Sequence, residues 1–487
     1  MKVYVVYDDT VRKSELINDI IGNKGFSDVI VKRKRIEDYY HDVIKDTCAF
    51  DTEWKRISSV FEFKEMLSEA GSPQLDERRI IHCFSDFFFT DADAAVLSLE
   101  KIKYIRDTYK VVSDNRIAMI MFSDTDEYKR FLINADRLGD SVKAAEEIKK
   151  SFSIDGLSCI GYLENFIQII SGNFDSRFFN SIRGDNYTLT KSSVNKKKIK
   201  SEYTYYRLLP DTMKMWMVMP FDYRETEDIA SYSMERLHMT DLAIKWVHGS
   251  INSDEFREIL DKLFYFINSR SSKQVSQEDY IKKSSLLYSD KVYSRIDELK
   301  KTKEFPQINS LLKSLNNIEL DDIAERYFRL KDIIEGRVSF PSVSVIGHGD
   351  PCFANTMYNK ATHTLKFIDP KGALSEEELW TNPYYDLAKI SHSICGRYDF
   401  FNNALFEIKI RDDFHSELAI DFDNTAYKKM FREKLEKNGF DYLAVRVYEV
   451  SLFLSMLPLH IDYPHKVFGF ILNAIDIMDE IENEIRN

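Results

Sequence analysis

Cysteine is scarce and scattered: Cys48, Cys83, Cys159, Cys352 and Cys395 are the only five in 487 residues, with no C-x-x-C pair. That spacing argues against a zinc site or a disulfide framework and fits a reducing compartment. Also missing is any uninterrupted apolar run near the roughly 18 residues that a membrane-spanning helix needs. The apolar start Val3–Tyr7 is cut by Asp8 and Asp9, so it reads as a buried strand rather than a signal peptide. A cytoplasmic protein without a membrane span is therefore expected. Excess positive charge is absent too, with 68 Lys and Arg against 80 Asp and Glu, net -12. A nucleic-acid partner is thus not expected, because phosphate neutralisation needs a positive face. Small anionic ligands are not excluded, since a bound Mg²⁺ supplies local positive charge to an acidic protein. There is no internal repeat and no low-complexity linker.

What the chain does have is 44% hydrophobic and 30% charged residues, a globular balance, over a length that exceeds one ordinary core. Residues 1–155 alternate short apolar runs (Val3–Tyr7, Val29–Val31, Ile80–Phe84, Ile117–Phe122) with charged helical stretches. This predicts an α/β domain with a mainly parallel sheet. Asp86 and Asp124 follow apolar strands, where such sheets place ligand contacts. Residues 156–240 read as a small β-rich lobe. It should hold two strands within 181–191, a helix from Glu202 to Leu209 ended by Pro210, and strands at Met215–Phe221 and Ala230–Leu237. Residues 241–487 read as mainly helical, interrupted at 343–370.

That interruption carries chemistry. Val343, Val345 and Ile346 lead into a loop with His348, Asp350 and Asn355, and the apolar stretch Leu365–Ile368 delivers Asp369. A strand–loop–strand hairpin would bring two aspartates and an asparagine to one mouth. Phosphoryl transfer needs such a set: one carboxylate to orient the attacking hydroxyl, and oxygen ligands to hold Mg²⁺ against nucleotide phosphates.

The segment His348-Gly349-Asp350 with Asn355 resembles the His-Gly-Asp-x-x-x-x-Asn motif of the aminoglycoside phosphotransferase/choline kinase family. Ile368-Asp369 resembles that family's metal-binding follow-up, and Asn382 to Lys389 its Asp-Pro-x-x-Asp-Leu-Ala helix start. The resemblance implies a bilobal α+β kinase-like fold, with a small β-rich N-lobe and a mainly helical C-lobe. It implies that Asp350 is catalytic, that His348 braces the loop, and that Asn355 and Asp369 bind Mg²⁺. Asp386 would cap its helix and tie it to the catalytic loop. On the same template Lys191 and Glu202, at the start of its helix, would pair to hold the α- and β-phosphates of ATP or GTP. Gly184 would lie in a turn over the phosphates, although hairpin chemistry of Arg183 to Asn186 explains it equally. Backbone of Met234, Glu235 and Arg236 would contact the purine. The acceptor is expected to be a small hydroxylated metabolite such as a sugar or amino alcohol.

His392, His460 and His465 are candidate acceptor-site residues, as are Tyr398 and Asp399; a histidine beside apolar residues more often packs. Cys352 reads as packing, and Lys371 as either a phosphate contact or a solvated loop lysine. The front domain weakly resembles sugar nucleotidyltransferases, and Asp91-Ala92-Asp93 matches a D-x-D metal pattern, but an acidic helix start explains it as well. It reads as degenerate or divergent, a docking or regulatory module, and the fusion suggests cell-surface polysaccharide precursor synthesis. Two alternatives stand beside the phosphotransferase: a bifunctional nucleotidyltransferase-kinase, and a pseudokinase scaffold of a biosynthetic complex.

Overall fold

The computed structural model describes residues 2–47, 51–69, 79–171, 180–185 and 187–486. Two compact units divide the chain, Met1–Phe174 and Asp175–Asn487. The division lies beyond residue 155 because strand Leu157–Cys159 pairs with Phe87–Phe89, and Phe166 packs edge-on against Phe26 at 6.2 Å. Helix Leu163–Ser171 thereby belongs to the front unit.

The front unit is built on a six-stranded sheet, in the spatial order Asp51–Ile57, Lys2–Asp8, Arg79–Phe84, Arg116–Phe122, Tyr109–Ser113, Ser151–Ser153. It is mixed rather than mainly parallel. Lys2–Asp8 runs parallel to both neighbours, but Arg116–Phe122 is antiparallel to the strands on either side of it. The reversal is made by Asp114 and Asn115, both with left-handed φ (48° and 61°), as a two-residue hairpin turn requires. Val29–Val31 does not enter this sheet; Ile30–Val31 forms a small hairpin with Lys34–Arg35. Its expected place is taken by Asp51–Ile57, an edge strand only partly buried and too charged to stand out in the sequence. Tyr128, Phe131, Leu132 and Ala135, spaced at helical period on Thr125–Leu138, pack against Val6, Ile80, Ile120 and Phe122.

The second unit opens with a four-stranded antiparallel sheet, ordered Asn180–Gly184, Thr188–Ser193, Ala230–Glu235, Pro220–Glu225. Helix Lys196–Leu208 covers it, with Ile199 packed on Ala230, Tyr232 and Met234. This helix starts earlier than expected because the Asn195 side chain accepts the Lys198 N–H, so the lysine run lies inside the helix and Glu202 in its second turn. The stretch before Pro220 is not a strand: Met217 makes a single parallel bridge to Phe367.

After Glu235 the chain leaves the sheet, and Thr240–Asp241 pairs with Thr356–Asn359. The remainder is mainly helical around one large core. Helix Tyr442–Met456 is buried at every position but Leu443. The window Tyr442–His460 is apolar and long enough to cross a membrane, yet 89% of it is buried, and its Arg446 pairs with Glu449 and, at 3.1 Å, with Glu480. It is a core helix.

Among the carboxyls buried in this unit are Asp241 and Asp399. Asp241 caps the helix Leu242–Val247, and burial pushes it up to about 8. Asp399, beside Ser393, is pushed by burial up to about 7. Each is protonated in the folded state where the unfolded chain is ionised, so each stabilises below the unfolded value and loses that contribution as pH rises to its folded value. Buried His348 and His392, both held below the usual imidazole value by burial, oppose this only below about pH 6.5. Denaturant unfolding of the second unit should therefore show stability falling by about 2 kcal/mol between about pH 6.5 and 8. Asp241→Asn should flatten most of that slope; an unchanged slope in the variant would contradict the assignment.

Candidate functional site

The site grows from a turn and two short hairpins. Val343–Ile346 pairs with Ser272–Gln274 on one side and Trp380–Thr381 on the other, while Thr356–Asn359 pairs with Thr364–Phe367. The expected single hairpin from 343 to 368 is therefore two separate small sheets, because the chain between Gly347 and Asn355 is a loop closed by a 3₁₀ turn at Phe353–Asn355. Two backbone bonds still bring the segments together: Ile368 N–H to the Asn355 carbonyl at 3.0 Å, and Lys371 N–H to the His348 carbonyl at 3.0 Å.

Gly349 is required by its backbone. Its φ is 84°, and an added Cβ would come 2.5 Å from the Lys371 Cβ. His348 is fully buried against Phe367 at 5.3 Å. Its Nδ1 accepts the Asp350 N–H at 3.2 Å, and burial holds the ring neutral, so the imidazole braces the loop rather than moving protons. The Asn355 Nδ2 donates to the Asp350 carbonyl at 2.9 Å, which leaves its Oδ1 as the ligand-capable atom. Asp369 has a left-handed φ of 53°, a conformation that aspartate tolerates better than most residues.

Asp369 meets the sheet lobe directly. Lys191 is buried on strand Thr188–Ser193, and its ammonium lies 2.7 Å from Asp369 and 2.8 Å from Glu202. Burial works against the charge on Lys191, but the carboxylates outweigh it and hold its pKa above the ordinary value. Glu202 is held in turn by the Tyr232 hydroxyl at 3.0 Å. One turn beyond Glu202, the Tyr205 hydroxyl donates to the Gly347 carbonyl at 3.0 Å, fixing the helix to the loop.

Asp386 does not cap its helix, since the cap position is Tyr384 and no side chain bonds there. It ties the loop instead, accepting the His348 and Gly349 N–H groups at 3.1 and 2.8 Å and pairing with buried Arg270 at 3.0 Å. Arg270 completes its bonding on the Pro383 and Ile267 carbonyls. Asn382 organises the preceding turn by accepting the Tyr384 N–H at 2.9 Å.

Three residues escaped the sequence reading: Arg270, Tyr385 and Lys389. Lys389 places its ammonium 2.9 Å from an Asp350 oxygen. Burial pushes Asp350 up, but Lys389 more than offsets this and holds the carboxyl below its usual range. The signal was present in the motif, because Lys389 follows Asp386 by three residues and shares its helix face. Arg270 carried no local signal, being 116 positions from Asp386.

The other expectations fare unevenly. Gly184 is needed for close packing, since a Cβ there would lie 2.3 Å from the Thr188 carbonyl, and Asp185 caps the turn through the Tyr187 and Thr188 N–H groups. Asn186 lies outside the described residues. Met234 is paired within the sheet to Leu189. Arg236 donates its N–H to the Tyr187 carbonyl and its guanidinium to the Asp185 carbonyl. Glu235 ends the strand. His392 stacks between Tyr398 and Phe453, both at 4.2 Å, and His465 packs on Phe406. His460 meets the edge of Phe470. Cys352 is buried, and burial pushes its thiol up, in keeping with a packing role. In the front unit Asp91 caps the helix Ala92–Leu99 through the Ala94 N–H, and Asp124 caps Thr125–Leu138. Asp86 pairs with Arg116 at 3.3 Å, and burial pushes it up to about 6.

No family model and no curated protein matches the chain. Solved structures do. A thermostable mutant of aminoglycoside phosphotransferase APH(4)-Ia in apo form aligns at 12% identity and TM-score 0.34, over 66% of this chain and 98% of that one. Its ternary complex with ADP and hygromycin B aligns at 11% and 0.36, over 65% and 97%. An ethanolamine kinase of Plasmodium vivax aligns at 11% and 0.37, over 66% and 87%. At such identity and overlap, function has to be read from the side chains themselves.

The Asp386–Arg270 pair should dominate loop stability. Asp386→Ala leaves the buried Arg270 guanidinium without its counter-charge and two loop N–H groups without an acceptor, which costs about 3–5 kcal/mol. Unfolding of the second unit should register a loss of that size; a change under about 1 kcal/mol would mean the loop is held elsewhere.

Proposed function

We propose that the unit Asp175–Asn487 transfers the γ-phosphoryl group of ATP or GTP to the hydroxyl of a small metabolite. The observation that carries this reading is the buried Lys191 ammonium shared by Glu202 and Asp369. A charge held this far from water, with one carboxylate on the sheet lobe and another beside the catalytic loop, suits nucleotide phosphates arriving between the two.

A divalent cation fits the donors present. Asn355 Oδ1 and the Asp369 carboxylate, the latter 40% exposed, are two oxygen ligands of the hard kind that Mg²⁺ uses alongside phosphate oxygens. Bound there, Mg²⁺ would neutralise charge on the phosphates. Asp350 receives the acceptor hydroxyl, orients its oxygen in line with the γ-phosphorus and takes its proton. The bond from phosphorus to the leaving diphosphate breaks as the bond to the acceptor oxygen forms. Lys389 acts through Asp350 as a positioning residue that keeps the carboxylate ionised and aimed.

A pseudokinase scaffold is the weaker reading, since Lys191, Glu202, Asp350, Asn355 and Asp369 are all present in one connected arrangement. For the front unit we favour a docking or regulatory role, as the aspartates Asp91 and Asp124 are spent on helix caps.

Asp350→Asn should lower turnover by at least about 10²-fold while leaving Mg²⁺–nucleotide affinity within about twofold of wild type. Turnover above a tenth of wild type would remove Asp350 from the chemistry. Because Asp350 is held below the usual carboxylate range, the acid limb of kcat/KM should lie below about pH 4. Lys389→Met should move that limb upward in pH; an unmoved limb would contradict the role given to Lys389.

A further inference from the structure

Around Asp350 the cations exceed the carboxylates available to them. Lys191 is matched by Glu202 and Asp369, and Lys389 by Asp350. Lys291 and Lys371 reach the same place, and among the described residues neither makes an ion pair with a carboxylate. Both converge on one phenol instead: the Lys291 ammonium donates to the Tyr385 hydroxyl at 3.2 Å, and the Lys371 ammonium lies 5.9 Å from that ring. Tyr385 is buried one helical turn before Lys389.

The backbone fixes both lysines in place. Lys371 donates its N–H to the His348 carbonyl and packs its Cβ where any side chain at position 349 would collide. Lys291 follows a π turn at Leu286–Asp290, in which Tyr288 is pinned by stacking on Tyr448 at 3.8 Å. Such turns interrupt a helix at a cost and collect at functional sites. Beside them lies a cavity of about 230 Å³, walled by Lys371, Lys283, Leu286, Trp380 and the Gly347–Gly349 backbone. The carboxylate in that wall, Glu378, is exposed and accepts the Leu374 N–H.

The phenol responds to this field. Burial pushes the Tyr385 hydroxyl up, yet Lys291, Lys389 and Lys371 outweigh it and hold its pKa below the ordinary tyrosine value. A cationic acceptor would meet repulsion here, whereas an anionic group would be met by the exposed Lys371 ammonium and the half-buried Lys291 ammonium.

We propose that the acceptor carries an anionic group, a phosphate or carboxylate, seated by Lys291 and Lys371 so that its hydroxyl meets Asp350. The proposal rests on the phosphotransferase reading above and narrows its substrate to an acidic metabolite.

The test is a thermal-shift series on the whole chain saturated with Mg²⁺ and AMP-PNP, so that the γ-phosphoryl position is filled, with inorganic phosphate added against chloride at equal ionic strength. Phosphate should raise the midpoint further. In a Lys291→Gln, Lys371→Gln double variant the phosphate concentration needed should rise at least about tenfold, with the nucleotide shift retained. No phosphate effect in the wild type, or an undiminished one in the variant, overturns the anionic acceptor. Loss of the nucleotide shift in the variant also overturns it, by assigning the lysines to the donor. Absence of a nucleotide shift in the wild type instead defeats the phosphotransferase reading, and the proposal with it. As a second measurement, glycerol phosphorylated faster than glycerol 3-phosphate would overturn the proposal while sparing that reading.

Discussion

The Lys191 ammonium, enclosed by the sheet lobe and gripped by Glu202 and Asp369, is the interaction on which the second unit's arrangement turns. A buried ion pair adds little net stability, because the desolvation of each charge roughly cancels their attraction, and an apolar trio of similar size would serve folding as well. Its presence is therefore better explained by a demand for charge at that point. The same grip has structural consequences. Glu202 stays in place only if helix Lys196–Leu208 stays against the loop, which the Tyr205 bond to Gly347 secures. Asp369 stays in reach only if the chain holds a left-handed turn there, stabilised by the bonds of Ile368 to Asn355 and of Lys371 to His348.

A second buried pair does for the loop what the first does for the lobe. Asp386 gathers two loop N–H groups and the Arg270 guanidinium with no exposure to water. The loop has no regular secondary structure to satisfy its backbone, so a carboxylate supplies the acceptors that a ladder would have given. With His348 neutral and packed beneath it, the loop presents Asp350 on a rigid support, and Lys389 sets its ionisation. On the phosphotransferase reading proposed above, such preorganisation is what the chemistry asks for, since phosphoryl transfer depends on position and charge more than on covalent help.

Much of this was legible in the sequence because the loop's demands are local. His348, Gly349, Asp350 and Asn355 lie within eight residues, and Asp369 follows an apolar strand that announces itself. Lys191 and its partner Glu202 were legible through the resemblance and their order along the chain. Arg270 was not, since its meeting with Asp386 depends on how a distant helix end returns to the loop. The helix start at Lys196 was missed because Lys196, Lys197, Lys198 and Lys200 show no apolar period, and Asn195, the residue that decides it, is a common loop residue too. In the front unit a charged edge strand, Asp51–Ile57, defeated the apolar-run criterion, and the two-residue turn at Asp114–Asn115 turned a parallel expectation into a mixed sheet. The engagement of the Arg236 N–H with the Tyr187 carbonyl was likewise not legible, since it depends on how the strand ends meet.

The most direct measurement of the central claim is a calorimetric titration of ADP into the whole chain, with and without Mg²⁺, repeated with Lys191→Met. The account predicts Mg²⁺-dependent binding of one nucleotide per chain, weakened at least about tenfold by the substitution, as expected for loss of a charge-assisted phosphate contact. Binding that is indifferent to both Mg²⁺ and Lys191, or no binding at all, would contradict it.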